Sequence, residues 1–114
     1  KLIEMQKKAK AVFVDDSVYD YISDLCDATR HNENISLGVS PRGALALCRI
    51  AKAWACYKGR AYVVPQDVRD FFVHVCSHRI SLSAKGRLSG LAAESVLDEI
   101  LKSVKCPENE EKRR

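Results

Sequence analysis

The sequence predicts an all-α fold, a helical bundle of about five helices with at most a short two-strand ribbon. Three observations lead there. Apolar residues recur at the 3.6-residue period through most of the chain. Helix start and stop signals (Ser40-Pro41, Gly59, Pro65 and Pro107) punctuate those stretches. The β-branched and aromatic runs, Val12 to Val14 and Ala61 to Val63, are short.

The first helix is expected over Lys1 to Ala11, with Leu2, Met5, Ala9 and Val12 inward and lysines outward. Val12-Phe13-Val14 suits a brief strand. Asp15 or Asp16 then caps a helix running to Arg30 or His31. Its apolar stripe is Val18, Ile22, Leu25 and Thr29, flanked by Tyr21 and Ala28; Asp16, Asp20, Asp24 and Asp27 lie opposite. The polar stretch from His31 to Gly38 reads as a loop. Ser40 caps the next helix and Pro41 takes its first position. That helix runs to about Lys58 and ends at Gly59, with Leu47, Ile50, Ala51 and Trp54 as its core face. Ala61 to Val63 offers a strand partner for Val12 to Val14. Pro65 opens a helix whose inward face is Val68, Phe71, Phe72, Val75 and Cys76. Ile80 to Gly90, rich in Ser and Gly, is expected to be a connector. The last helix, Leu91 to Val104, buries Val96, Leu97, Ile100, Leu101 and Val104, and Pro107 stops it. Residues 1–107 thus form one domain, and 108–114 a charged tail expected to be disordered.

Composition excludes several classes. Of the 114 residues 46% are hydrophobic and 30% charged, as in an ordinary globular domain. Lys and Arg total 19 against 15 Asp and Glu, and a net charge of +4 does not mark a nucleic-acid binder. No apolar run approaches the roughly 20 residues that span a bilayer. No secretory leader is visible, and the start at Lys1 suggests a segment of a longer protein. Five cysteines, none in a C-x-x-C pair, fit neither a zinc site nor a disulfide framework. They are expected to be buried, reduced thiols in the cytoplasm. His74 and His78 stand four apart, but no Glu completes an H-E-x-x-H metal site. Phosphate-binding glycine loops and nucleophile elbows are both missing, so the chain by itself does not read as catalytic.

The segment Ser40 to Val64 stands apart. It has no acidic residue, yet carries Arg42, Arg49, Lys52, Lys58 and Arg60. Arg42 falls in the first turn of a helix, where free N–H groups and the positive dipole end favour an anion and disfavour a cation. A phosphate bound before that turn would reverse the penalty, and a guanidinium offers it two parallel donors. The alternatives are a solvated arginine, or one paired with the aspartates of the preceding helix. A free-standing DNA-binding module would use Arg42, Arg49, Lys52 and Lys58, but low charge and the absence of a basic tail disfavour it. The four aspartates are either a solvated face or a docking surface for a basic protein.

Six ordered segments resemble MoxR-type AAA+ ATPases. Leu37-Gly38-Val39-Ser40-Pro41-Arg42-Gly43 is similar to that family's lGaSPRa run. Asp20-Tyr21-Ile22 followed by Ala28-Thr29-Arg30 resembles dYI and aTR. Ala51 to Ala55, then Gly59-Arg60-Ala61-Tyr62-Val63, resemble ArAwA and GRdyV. Pro65-Gln66-Asp67-Val68 and His78-Arg79-Ile80 are similar to PeDV and HRi. The resemblance implies the C-terminal helical lid of such an ATPase, with a large αβα domain carrying the Walker motifs ahead of Lys1. It implies that Arg42 is the sensor 2 arginine reaching the γ-phosphate of ATP, in its own or a neighbouring subunit, with Ser40 and Pro41 setting its position. ATP with Mg2+ is the implied cofactor of the whole protein, and none is expected in the isolated chain. A chaperone-like homo-hexamer with a von Willebrand factor A-domain partner is also implied. It assigns no role to His78 or Arg79. The chain departs at Gly43, where the family often has Ala, and at Val64, where Thr would cap the next helix.

Overall fold

The computed structural model describes residues 11–107. The helix expected over Lys1 to Ala11 and the tail 108–114 lie outside the described residues, Ala11 apart. Five helices form within them: α1 (Asp16–Arg30), α2 (Pro41–Tyr57), α3 (Pro65–Cys76), α4 (Ala84–Leu88) and α5 (Ala93–Ser103). Two strands complete the fold, β1 (Ile35–Leu37) and β2 (Ser81–Leu82).

Local chemistry sets most helix ends. Asp15 caps α1 by accepting the Ser17 N–H at 3.0 Å. Ser40 caps α2 by accepting the Gly43 N–H at 3.3 Å, with Pro41 at the first helical position. At its far end Gly59 takes φ +81°. The Gly59 N–H then reaches the Cys56 carbonyl, and the Arg60 N–H the Ala55 carbonyl, both at 2.9 Å. These bonds satisfy two carbonyls that the helix would otherwise leave open. Val64 has no acceptor with which to cap α3. The Asp67 carboxylate, three residues in, accepts the Val64 N–H at 2.9 Å instead.

The apolar stripes meet in one core. Tyr21, Leu25, Leu47, Phe72 and Leu97 are its largest fully buried side chains, drawn from α1, α2, α3 and α5. Each such side chain removed from water contributes about 1.5–3 kcal/mol. On α2 the core face is rotated from the expected one. Leu47, Cys48, Ala51 and Ala55 are buried, whereas Ile50 is 36% exposed and Trp54 only half-buried. Trp54 stacks on Tyr57, meets Phe71 edge-on and lies under the Lys58 ammonium, 5.2 Å from its ring centre. Phe71 and Val104, expected inside, are half-buried.

The ribbon is not where periodicity placed it. Val12 to Val14 and Ala61 to Val63 meet only in a parallel bridge between Phe13 and Tyr62. The Phe13 N–H donates to the Ala61 carbonyl, and the Val63 N–H to the Phe13 carbonyl. The two-strand ribbon is instead antiparallel β1 with β2, from stretches expected to be loop and connector. The connector also contains α4, capped by Ser83. Strands this short carry too little pattern to be read locally; the packing of α1 against α3 brings their backbones together.

All five cysteines are free thiols, three of them buried (Cys26, Cys48, Cys76), Cys56 intermediate, and Cys106 exposed against expectation. Burial pushes the Cys26 thiol up to about 11 and Cys76 up to about 12. Because these values lie above the ordinary 9.0, the two thiols stabilise the fold below about pH 9. That contribution fades as pH rises through 11 and 12. Denaturant melts should therefore show falling stability above about pH 9. Iodoacetamide at pH 8 should label Cys106 on the folded chain but Cys26 and Cys76 only in urea, as read by mass spectrometry.

Candidate functional site

The start of α2 is built from α1 and the loop after β1. Thr29, fully buried, donates its hydroxyl to the Cys26 carbonyl and accepts the Val39 N–H at 2.9 Å. The Arg30 Nε donates to the Val39 carbonyl at 3.1 Å. Both polar groups of Val39 are thereby tied to α1, while its side chain is buried in the core. Gly38 makes this approach feasible. A Cβ there would stand 2.8 Å from both the Arg30 nitrogen and the Thr29 hydroxyl. The next residue but one is the Ser40 cap. The Ala28-Thr29-Arg30 and Leu37–Gly43 segments are thus two halves of a single clamp that aims the first turn of α2.

Ser40, Pro41 and Arg42 all lie at the surface there. Arg42 has no ion pair or side-chain hydrogen bond among the described residues, so the expected alternative of pairing with the aspartate face is not realised. That face is exposed, and Asp27 pairs within its own helix end, 3.7 Å from both Arg30 and His31. Pro41 borders an open groove of about 620 Å³ between α1 and α2. Its floor includes Ile22, Cys26, Ala44 and Cys48, and Arg30, Arg49 and Lys52 reach its rim. Lys58 does not join these cations, because it caps the far end of α2, with its ammonium over the Trp54 ring. Among the described residues no group of three or more His, Cys, Asp or Glu could hold a metal ion. No helix among them is long and apolar enough to cross a membrane.

Two further segments meet beneath the far end of α2. Released by the Gly59 turn, the Arg60 guanidinium forks onto Asp67 at 2.7 and 2.8 Å and also donates to the Tyr62 carbonyl at 3.2 Å. Asp67 is 2% exposed, so its carboxylate is held by Arg60 and by the Val64 N–H at the start of α3. The sequence reading missed this pair; an acid at the third position of a Pro-led helix, seven residues after an arginine, is the signal that could have found it. Arg69, from α3, donates to the Tyr21 hydroxyl at 2.9 Å and the Leu101 carbonyl at 3.3 Å, joining α1, α3 and α5. Burial raises the Tyr21 hydroxyl pKa, partly offset by Arg69.

A family model described as the AAA lid domain matches residues 27–100. The chain belongs to the AAA lid domain family. The match runs from the Thr29 clamp through the Arg60–Asp67 pair into α5. This lid is 36% identical over 105 residues to the uncharacterized protein YeaC of Bacillus subtilis, covering 92% of this chain and 33% of that protein. It is 30% identical over 116 residues to the chaperone MoxR1 of Mycobacterium tuberculosis, covering 94% and 31%. With protein MoxR of Paracoccus denitrificans it shares 42% over 76 residues, 55% and 22% of the two chains. A crystal structure from Cytophaga hutchinsonii, provisionally assigned as an ATPase, superimposes with a TM-score of 0.83 at 29% identity, over 90% of this chain and 34% of that one. The lid therefore spans a third or less of the curated relatives it matches. The MoxR resemblance of the sequence and the helical lid fold agree with these relatives.

Two substitutions test the clamp and the pair. Thr29→Val keeps the shape but strands the Val39 N–H, and should cost about 1–3 kcal/mol in urea unfolding. Arg60→Ala leaves Asp67 buried without its partner and should cost about 3–5 kcal/mol by the same measurement.

Proposed function

We propose that this lid serves a MoxR-type AAA+ ATPase as its nucleotide-sensing element, with Arg42 directed at the γ-phosphate of bound ATP. The observation that carries the reading is the setting of Arg42. It is an exposed guanidinium without a protein partner among the described residues, in the first turn of a 17-residue helix whose start is clamped in place. Two positive contributions converge there, the guanidinium and the dipole end of α2; Pro41 has no N–H to offer, and Ser40 takes those of Gly43 and Ala44. Such an arrangement is unfavourable alone and favourable beside a phosphate.

The donor chemistry suits a triphosphate. Arg42 supplies two parallel N–H donors, and Ser40 and Pro41 hold the turn that aims them. Mg2+ would be held by the large domain, since the described residues offer no ligand cluster. When bound, Mg2+ would supply most of the countercharge on the phosphates. Arg42 adds charge stabilisation as negative charge spreads over the phosphoryl oxygens. Loss of the terminal phosphate removes the partner of Arg42, so the lid's orientation becomes a report of the nucleotide. The large αβα domain, in the same or the neighbouring subunit, is then the lid's first partner. A cytoplasmic homo-hexamer acting with a von Willebrand factor A-domain protein is the assembly that the likeness to MoxR proteins supports. The chaperone name of the mycobacterial relative favours work on protein clients.

Arg42→Ala in the full-length protein should lower ATP hydrolysis by about one to three orders of magnitude in a phosphate-release assay. Unchanged turnover would remove the proposed role. The 114-residue chain alone should release no phosphate from ATP in the same assay.

A further inference from the structure

The His78-Arg79-Ile80 segment has no part in the site described so far, yet the fold carries it to the start of α2. Strand β1 runs directly into Gly38 and the clamped loop, and β2 begins directly after Ile80. Pairing of Ile35 with Leu82 and of Leu37 with Ser81 therefore brings the turn after α3 alongside the first turn of α2. The contact itself falls on Gly43, the residue after Arg42. A Cβ at Gly43 would lie 3.0 Å from the Arg79 Cδ, 3.9 Å from its Nε, and 2.7 Å from a Val39 methyl. The aliphatic stem of Arg79 thus lies across the bare backbone of Gly43, where an alanine would push it away. Among the described residues no carboxylate pairs with the Arg79 guanidinium, so no ion pair pulls the side chain elsewhere. Its backbone is fixed by its N–H, which donates to the Cys76 carbonyl at 2.9 Å.

We infer that Arg79 is a positioning residue for Arg42: its stem packs on Gly43 beside the methyl of the clamped Val39 and so braces the first turn of α2. Thr29 and Arg30 hold the chain before the helix, and Arg79 holds the turn itself. The inference rests on the phosphate-directed reading of Arg42 and adds how that side chain is aimed. It also gives the departure from Ala at position 43 a physical consequence, since a methyl there would press on the buried Val39 methyl and on the Arg79 stem.

Two measurements test it. Hydrogen exchange on the 114-residue chain reads the turn directly. Arg79→Ala should speed exchange of the Gly43 and Ala44 amides by about fivefold or more, while Arg79→Met, which keeps the stem, leaves them near the parent rate. Equal rates in all three proteins would overturn the contact. In the full-length ATPase, Arg79→Ala should lower kcat/KM about tenfold with an unchanged melting temperature, and Arg79→Met should restore most of it. On an Arg42→Ala background the Arg79→Ala change should add nothing, because a positioning residue acts only through the side chain it positions. A full, additive loss on that background would overturn the inference while leaving the Arg42 reading standing. Normal turnover of Arg42→Ala alone would instead overturn that reading, and the inference with it.

Discussion

A buried hydroxyl at the end of the first described helix underlies the organisation of this lid. Thr29 satisfies itself on the Cys26 carbonyl and uses its oxygen to receive the Val39 N–H. A threonine in that position can do both because its hydroxyl is donor and acceptor at once. The loop after β1 cannot slide along α1 without stranding a buried N–H. Ser40 must then fall where it caps α2, and Arg42 must emerge from the first turn. The position of the arginine follows from the hydrogen bonds two and three residues before it and from the Arg79 stem beside Gly43, not from a partner of its own guanidinium.

The same helix is secured at its other end by different chemistry. Gly59 turns the chain, Arg60 follows, and its fork onto Asp67 ties the exit of α2 to the entry of α3. Asp67 also accepts the Val64 N–H at the start of α3. A buried ion pair is weak evidence for net stability, since desolvating both charges offsets their attraction. Its contribution is geometric: a bidentate fork admits one relative orientation of the two segments. With both ends tied, the orientation of α2 against α1 and α3 is fixed.

Charge follows the same division. The outward face of α2 has cations and no acid, and the outward face of α1 has aspartates. The like-charged aspartates cost a few tenths of a kcal/mol per pair, a small amount beside the burial of Tyr21 or Leu25. The aspartates of the one face and Arg42 and Arg49 of the other are exposed. The acid-free stretch was visible in the sequence. The rotation that turns Ile50 outward was not, because the positions of α3 and α1 together decide which flank of α2 is covered.

Legibility varied with the range of the interaction. Ser40, Pro41 and Gly59 act on residues within a few positions, so the sequence alone determined where α2 begins and ends and that Arg42 stands in its first turn. The stripes of α1, α3 and α5 were readable for the same reason. The β1–β2 ribbon joins residues more than forty positions apart, with strands too short to show alternation. The contact of Arg79 with Gly43 and the closure of Thr29 on Val39 likewise join segments that no local pattern relates. Only the tertiary structure decided these, because a hydrogen bond or a packed stem is specified by where two backbones arrive, and that is settled by the packing of the whole core.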